Sequence, residues 1–396
     1  MIRRLALALL AAAAASPAHA VCSASNTYNF AFSSQANTAL NYANSYNYTA
    51  SNTLGATQSF SVSFATNGLS SSQVNGQQMP AIGTTITSAS GAKTLVIGGT
   101  FSGRTTTISS NTRVIRTTFT FATPIRDLTL TVHDIDYTKD QYRDWLHVQG
   151  ANGASAYVPA MVTPHGTNNT TAGPHVNSPA SSVALGVHNG NGVNLTTADQ
   201  AAGIGASNNT GSNVGDITMS FVQPVTSVTI RYGNYPYGQG ENDTGQQAYG
   251  ISALSFCPMP SLSMAKSSAP YATSGPDRFN APLADVVYTL TVTNNGGSPV
   301  DLASLVLIDA LPSTMSFYNG DFDPSAPGTD PFQLNAGASG VTLTSANVAY
   351  SNNGGSSYAY VPAAGYDSAV NRIRFAPGGT MAANSSFDIK FRARIK

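Results

Sequence analysis

Residues 288–294, Tyr-Thr-Leu-Thr-Val-Thr-Asn, set Tyr288, Leu290 and Val292 on one side of an extended chain and Thr289, Thr291 and Thr293 on the other. Successive side chains of a strand point to opposite faces, so this alternation describes a half-buried strand with one apolar and one hydroxyl face. Toward the C-terminus, Phe387, Ile389, Phe391, Ala393 and Ile395 alternate with Asp388, Lys390, Arg392 and Arg394, and such charge on an outer face suits a protected sheet edge. Toward the N-terminus the same period returns in Tyr28, Phe30 and Phe32; Phe60, Val62 and Phe64; Leu128, Leu130 and Val132; Ile217, Met219 and Phe221; and Val228, Ile230 and Tyr232. Repeated this often, with Ser or Thr between, the pattern predicts antiparallel sheets packed in pairs: an all-β chain of two β-sandwich domains.

Composition agrees. Charged residues make up 9% of the chain and Glu241 is its one glutamate, so amphipathic helices faced with Glu and Lys cannot be built. Polar surface must come from Ser, Thr, Asn and Gly, which favour strand faces and turns.

The first twenty residues have the parts of a secretory signal: Arg3 and Arg4, an apolar run from Leu5 to Ala15, and small residues at Ala18 and Ala20. Cleavage after Ala20 leaves 16 Lys and Arg against 18 Asp and Glu, a net charge of −2, and no basic patch for nucleic acid. No segment of the mature chain is long and apolar enough to be a transmembrane helix. The expectation is a secreted or surface-retained bacterial protein whose partners are envelope or extracellular proteins or glycans. Cys22 stands in a poor lipobox, which favours free secretion or non-covalent retention. An even pair of thiols in an oxidising compartment is expected to form a disulfide, Cys22 to Cys257, the alternative being two separate buried thiols.

The domain boundaries follow from these signals. Residues 21–257 form a first sandwich, 258–260 a linker marked by Pro258 and Pro260, and 261–396 a second sandwich. Between Pro159 and Gly215 the alternation fades into an Asn-, Gly- and Thr-rich tract that reads mainly as loops. Residues 261–317, with "DVVYTLTVTNNGGSP" and then "DALP", resemble the conserved Ig-like repeat domain of bacterial surface and secreted proteins. That resemblance implies an Ig-like fold and spacer, stalk or adhesion roles rather than chemistry. In the first domain, "LTLTVHDIDYTKDQYRDWLHVQG" and "GDITMSFVQPVTSVTIRYGN" resemble the jelly-roll domains of secreted bacterial proteins.

Two polar clusters qualify as binding sites. Asp134 and Asp136 are spaced to project from one strand face, with Asp140 and Asp144 close behind. Neighbouring carboxylates repel unless a cation or proton lies between them, and extracellular calcium is the natural partner. The run is no EF-hand, because Lys139 holds that loop's glycine position and Trp145 its closing-glutamate position. The alternative is a solvated loop neutralised by Lys139 and Arg143. The second cluster joins Trp145, Tyr235 and Tyr237 to Glu241, Asn242 and Asp243, the aromatic and polar groups of a carbohydrate site. Its alternative is that the rings belong to core or turns.

No G-x-S-x-G or H-E-x-x-H motif occurs, and pairing His133 with one serine among many carries almost no information, so no enzyme is expected. Lys266, Lys390 and Lys396 read as ordinary solvated lysines, the alternative implied by the Ig-like resemblance being an internal bond from one of them to an Asn or Asp on a neighbouring strand. The function read from sequence is a non-catalytic structural or adhesion protein. The alternative is a lectin-like carbohydrate-binding module, calcium-dependent through the aspartates.

Overall fold

A computed structural model describes residues 22, 25–105, 107–138, 141–165, 174–177, 188–190 (backbone only), 193–195, 197–205, 211–236, 245–272, 275, 278–300, 302–322 and 329–396. The expected signal segment, 1–20, lies outside them. The described chain is all-β, and every strand pairing is antiparallel.

One long strand, Val114–His133, organises the N-terminal unit. Residues 114–121 pair with Thr57–Asn67 on one side and Val225–Asn234 on the other, so Phe119 stands between Val62 and Val228. Residues 125–133 pair instead with Ile217–Phe221 and Gln246–Pro258, and Leu130 stands between Met219 and Leu254. The chain changes sheets at Ala122-Thr123-Pro124, where Pro124 has no amide to donate to a ladder and the register shifts. Asp127, in the left-handed region at φ 53°, completes the bend.

Two sheets result. The first runs Ser45–Ser51, Thr57–Asn67, 114–121, Val225–Asn234, Tyr142–Asn152, Gln200–Gly203, Pro174–Asn177. The second runs Ala81–Thr87, Lys93–Phe101, Gln246–Pro258, 125–133, Ile217–Phe221, Ala160–Val162. Between them lie the apolar residues of the alternating segments, among them Phe60, Val62, Phe119, Val228 and Ile230 with Leu130, Met219, Phe221 and Leu254. The tract read as loops supplies short strands to the ends of both sheets, because backbone groups there find partners without any apolar alternation to announce them. Cys22 and Cys257 are joined by a disulfide with Cα atoms 6.3 Å apart, spanning 235 residues.

A separate core occupies the C-terminal part of the chain. One sheet runs Leu262–Pro270, Asp285–Asn294, Ser385–Ile395, Met315–Asn319, Gly365–Asp367, with Phe332–Asn335 also on Ser385–Ile395. The other is Leu307–Ala310, Arg372–Phe375, Val348–Ser351. Leu290, Phe317, Ile389 and Phe391 meet Leu307, Ile373 and Phe375 in this core.

Two sequence expectations are corrected here. The charged last strand is central, not an edge. Its Arg392 and Arg394 face outward onto Asp285, 2.6 and 2.8 Å from that buried carboxylate. The edge is Leu262–Pro270, and its Lys266 is not freely solvated, since its Nζ lies 2.8 Å from Asp309 on the opposite sheet.

Candidate functional site

The aspartate cluster forms where Val114–His133 ends. Asp134 adopts φ 66°, the left-handed conformation that Asp tolerates better than most residues. The strand period stops at that point, so Asp134 and Asp136 do not continue side by side on one strand face as expected. Asp134 is half-buried in a cleft of about 340 Å³ lined also by Asn75, Thr85, Gln141, Tyr142 and Gln246. Asp136 turns inward and is buried. Its carbonyl accepts from the Asp144 amide at 3.0 Å, and its own amide donates to Asp144 Oδ2 at 3.0 Å. A Cβ at Gly203 would lie 1.9 Å from the Asp136 carbonyl oxygen, so only glycine permits this approach.

Asp144 is the cluster's centre and is wholly buried. Its Oδ1 accepts from the hydroxyl of Tyr232, a core residue whose role here the alternation alone did not signal. Burial first, and then the nearby Asp136 charge, push the Asp144 carboxyl well above the ordinary carboxylate range. Burial and the Asp144 charge raise the Tyr142 hydroxyl as well. Arg143 is buried too, its guanidinium 2.5 Å from the Gly203 carbonyl and stacked 4.1 Å over the Tyr137 ring. The arrangement therefore holds Asp144 by donors of the protein itself, with both oxygens occupied. Among the described residues, no three His, Cys, Asp or Glu side chains are grouped to hold a metal ion. Asp140 and Lys139 lie outside the described residues.

The aromatic cluster is built differently from the expectation. Trp145 is 6% exposed and Tyr235 7% exposed, packed edge to face with ring centres 5.0 Å apart among Ile108, Val193, Leu195 and Ile204. Trp145 Nε1 donates to Gln200 at 3.3 Å, and the Tyr235 hydroxyl accepts from the Asn194 amide at 2.7 Å. Tyr235, a candidate for the carbohydrate cluster, is a core residue, because segment 193–195 folds over it. Neither ring offers a free face for stacking on a sugar. Tyr237, Glu241, Asn242 and Asp243 lie outside the described residues.

His133 is buried with Nδ1 2.7 Å from Asp216. Its Nε2 has no hydrogen-bond partner among the described residues, so no hydroxyl nucleophile is paired with it there. A second such pair, His147 Nε2 and Asp199 Oδ2 at 3.0 Å, lies on the first sheet. Burial raises the Asp199 carboxyl, but hydrogen bonds from His147 and Thr197 outweigh it and hold the group below its ordinary value. Sequence reading missed this pair, for nothing in the local pattern brings residue 147 to residue 199. No helix among the described residues is long and apolar enough to cross a membrane.

No family model matches the chain, and no curated protein matches it. Among solved structures, the N-terminal domain of the Streptococcus gordonii adhesin Sgo0707 is similar at 10% identity and a TM-score of 0.23, covering 91% of this chain and 85% of that one. The "Putative membrane anchored protein from Corynebacterium diphtheriae" is similar at 7% identity and a TM-score of 0.14, covering 89% of each chain. Likeness at this level carries no argument about fold or function, and the site stands on its own geometry.

Proposed function

We propose that this chain is an exported, non-catalytic structural or adhesion protein of a bacterial surface. The observation that carries the reading is the covalent closure of the first sandwich, with Cys22 tied to Cys257, in a chain whose sheet faces expose mainly hydroxyls and amides. A disulfide between the two cysteines of a chain is kept in an oxidising compartment, and cytosolic reductants would undo it. The non-catalytic part rests on commitment of the acidic groups to structural partners, Asp144 to Tyr232 and Asp136, and Asp285 to Arg392 and Arg394.

Fractionation of a producing bacterium tests this reading. The protein is expected in the medium or on the cell surface, open to added protease, with both thiols blocked before reduction. Recovery from the cytoplasm with two free thiols would refute it.

A further inference from the structure

Cross-strand partners in antiparallel register stand side by side, so the outer face of the first N-terminal sheet presents its side chains in rows. One row runs Ser63, Thr118, Thr229, Gln149, and the next Ser61, Thr120, Ser227. The third row breaks this uncharged pattern, because Arg116 and Arg231 are direct partners there, followed by His147.

Like charges placed opposite each other in a ladder are destabilising, and burial together with the Arg116 charge holds the Arg231 guanidinium below its ordinary value. Arg231 is aimed at His147, its Nη1 lying 3.2 Å from His147 Nδ1, while His147 Nε2 faces Asp199. The Nε of Arg231 finds no hydrogen-bond partner among the described residues. The Arg116 guanidinium makes no hydrogen bond or ion pair among them either, while its backbone sits in ladders on both sides. Two half-buried guanidiniums thus sit together beside the hydroxyl rows, with the Arg231 Nε shielded from solvent and the Arg116 guanidinium unengaged.

We propose that Arg116 and Arg231 form an oxyanion site that takes the carboxylate or sulfate groups of an acidic polysaccharide lying along the hydroxyl rows. Guanidinium groups pair with such oxyanions in bidentate fashion. The rest of the face selects among anionic polymers: nucleic acid or an anionic membrane is held by many cations, whereas here two are surrounded by hydroxyls and amides suited to sugar hydroxyls. Five strands, from Ser45–Ser51 to Tyr142–Asn152, make the face about 20 Å wide, room for several sugar units. The site is separate from the aspartate cluster and supplies a ligand class that the surface reading leaves open.

Native gel electrophoresis of the mature protein tests the proposal, with polygalacturonate, dextran sulfate or neutral dextran cast in the gel. The acidic polymers should retard the protein and neutral dextran should not. Comparing the two acidic polymers tells whether carboxylate or sulfate is preferred. Arg116→Gln and Arg231→Gln should each weaken retardation at least about tenfold, the loss of one charge-assisted contact. Because Arg116 holds no partner, Arg116→Gln should unfold at the wild-type temperature or above it. The proposal is overturned by no retardation in either acidic polymer, by equal retardation in neutral dextran, or by undiminished retardation of the double variant. Binding instead to phosphatidylglycerol vesicles would overturn it, as would a fall of more than about 3 °C in the Arg116→Gln unfolding temperature.

Discussion

The hydroxyl of Tyr232 donates to Oδ1 of Asp144 across two neighbouring strands, with both side chains wholly buried. The contact closes a network in which Asp144 also accepts from the Asp136 amide. It fixes the start of Tyr142–Asn152 against the end of Val114–His133.

Removing that carboxylate leaves the Tyr232 hydroxyl and the Asp136 amide buried without acceptors. Asp144→Ala should therefore cost about 2–4 kcal/mol in urea unfolding. A loss below about 0.5 kcal/mol would show that the network relaxes onto water.

The same carboxyl sets a pH dependence. Its folded value is raised, so the native chain keeps a proton that the unfolded chain releases above about pH 4. Native and unfolded proton counts then differ, and this group's contribution to stability falls as pH rises from that point toward its folded value. The stability of wild type relative to Asp144→Asn should accordingly decline from about pH 4 to pH 7, measured by urea midpoints. A constant difference would mean that Asp144 ionises normally in the fold.

Calcium should change little. Both Asp144 oxygens are taken by protein donors, and a cation would have to displace them. Scanning calorimetry in millimolar calcium and in chelator should give unfolding temperatures within about 1 °C. A larger rise that Asp134→Ala abolishes would establish a metal site including residues beyond those described.

Breaking the Cys22–Cys257 bond should act on one unit only. Releasing so long a loop in the unfolded chain should cost about 2–5 kcal/mol. In calorimetry with reductant, or in Cys22→Ser with Cys257→Ser, the transition of the first core should move down while that of the second stays. A joint shift would mean that the two cores unfold together.

Asp285 is the counterpart test in the C-terminal core. It is buried beneath Arg392 and Arg394 and accepts from the Tyr366 hydroxyl at 2.5 Å. Asp285→Ala leaves two guanidiniums without their carboxylate and should cost about 3–5 kcal/mol in urea unfolding of that core. Asp285→Asn, which keeps the shape and one acceptor, should cost less.

Period-two patterns are local, and they were sufficient for the fold class. Tyr288, Leu290 and Val292, or Phe60, Val62 and Phe64, determine which face is apolar without reference to any distant residue. The pairing of Cys22 with Cys257 was expected from their even number together with the export signal. Everything that depends on which strand lies beside which was decided by the tertiary structure. The last strand is central because Asp285–Asn294 and Met315–Asn319 flank it, and no charge pattern states that. Trp145 and Tyr235 are buried because segment 193–195 closes over them. Arg116 meets Arg231 because a strand that changes sheets brings positions 115 residues apart into register. Local alternation says where a side chain points, whereas its partners are set by long-range pairing, which leaves no periodic trace in the chain.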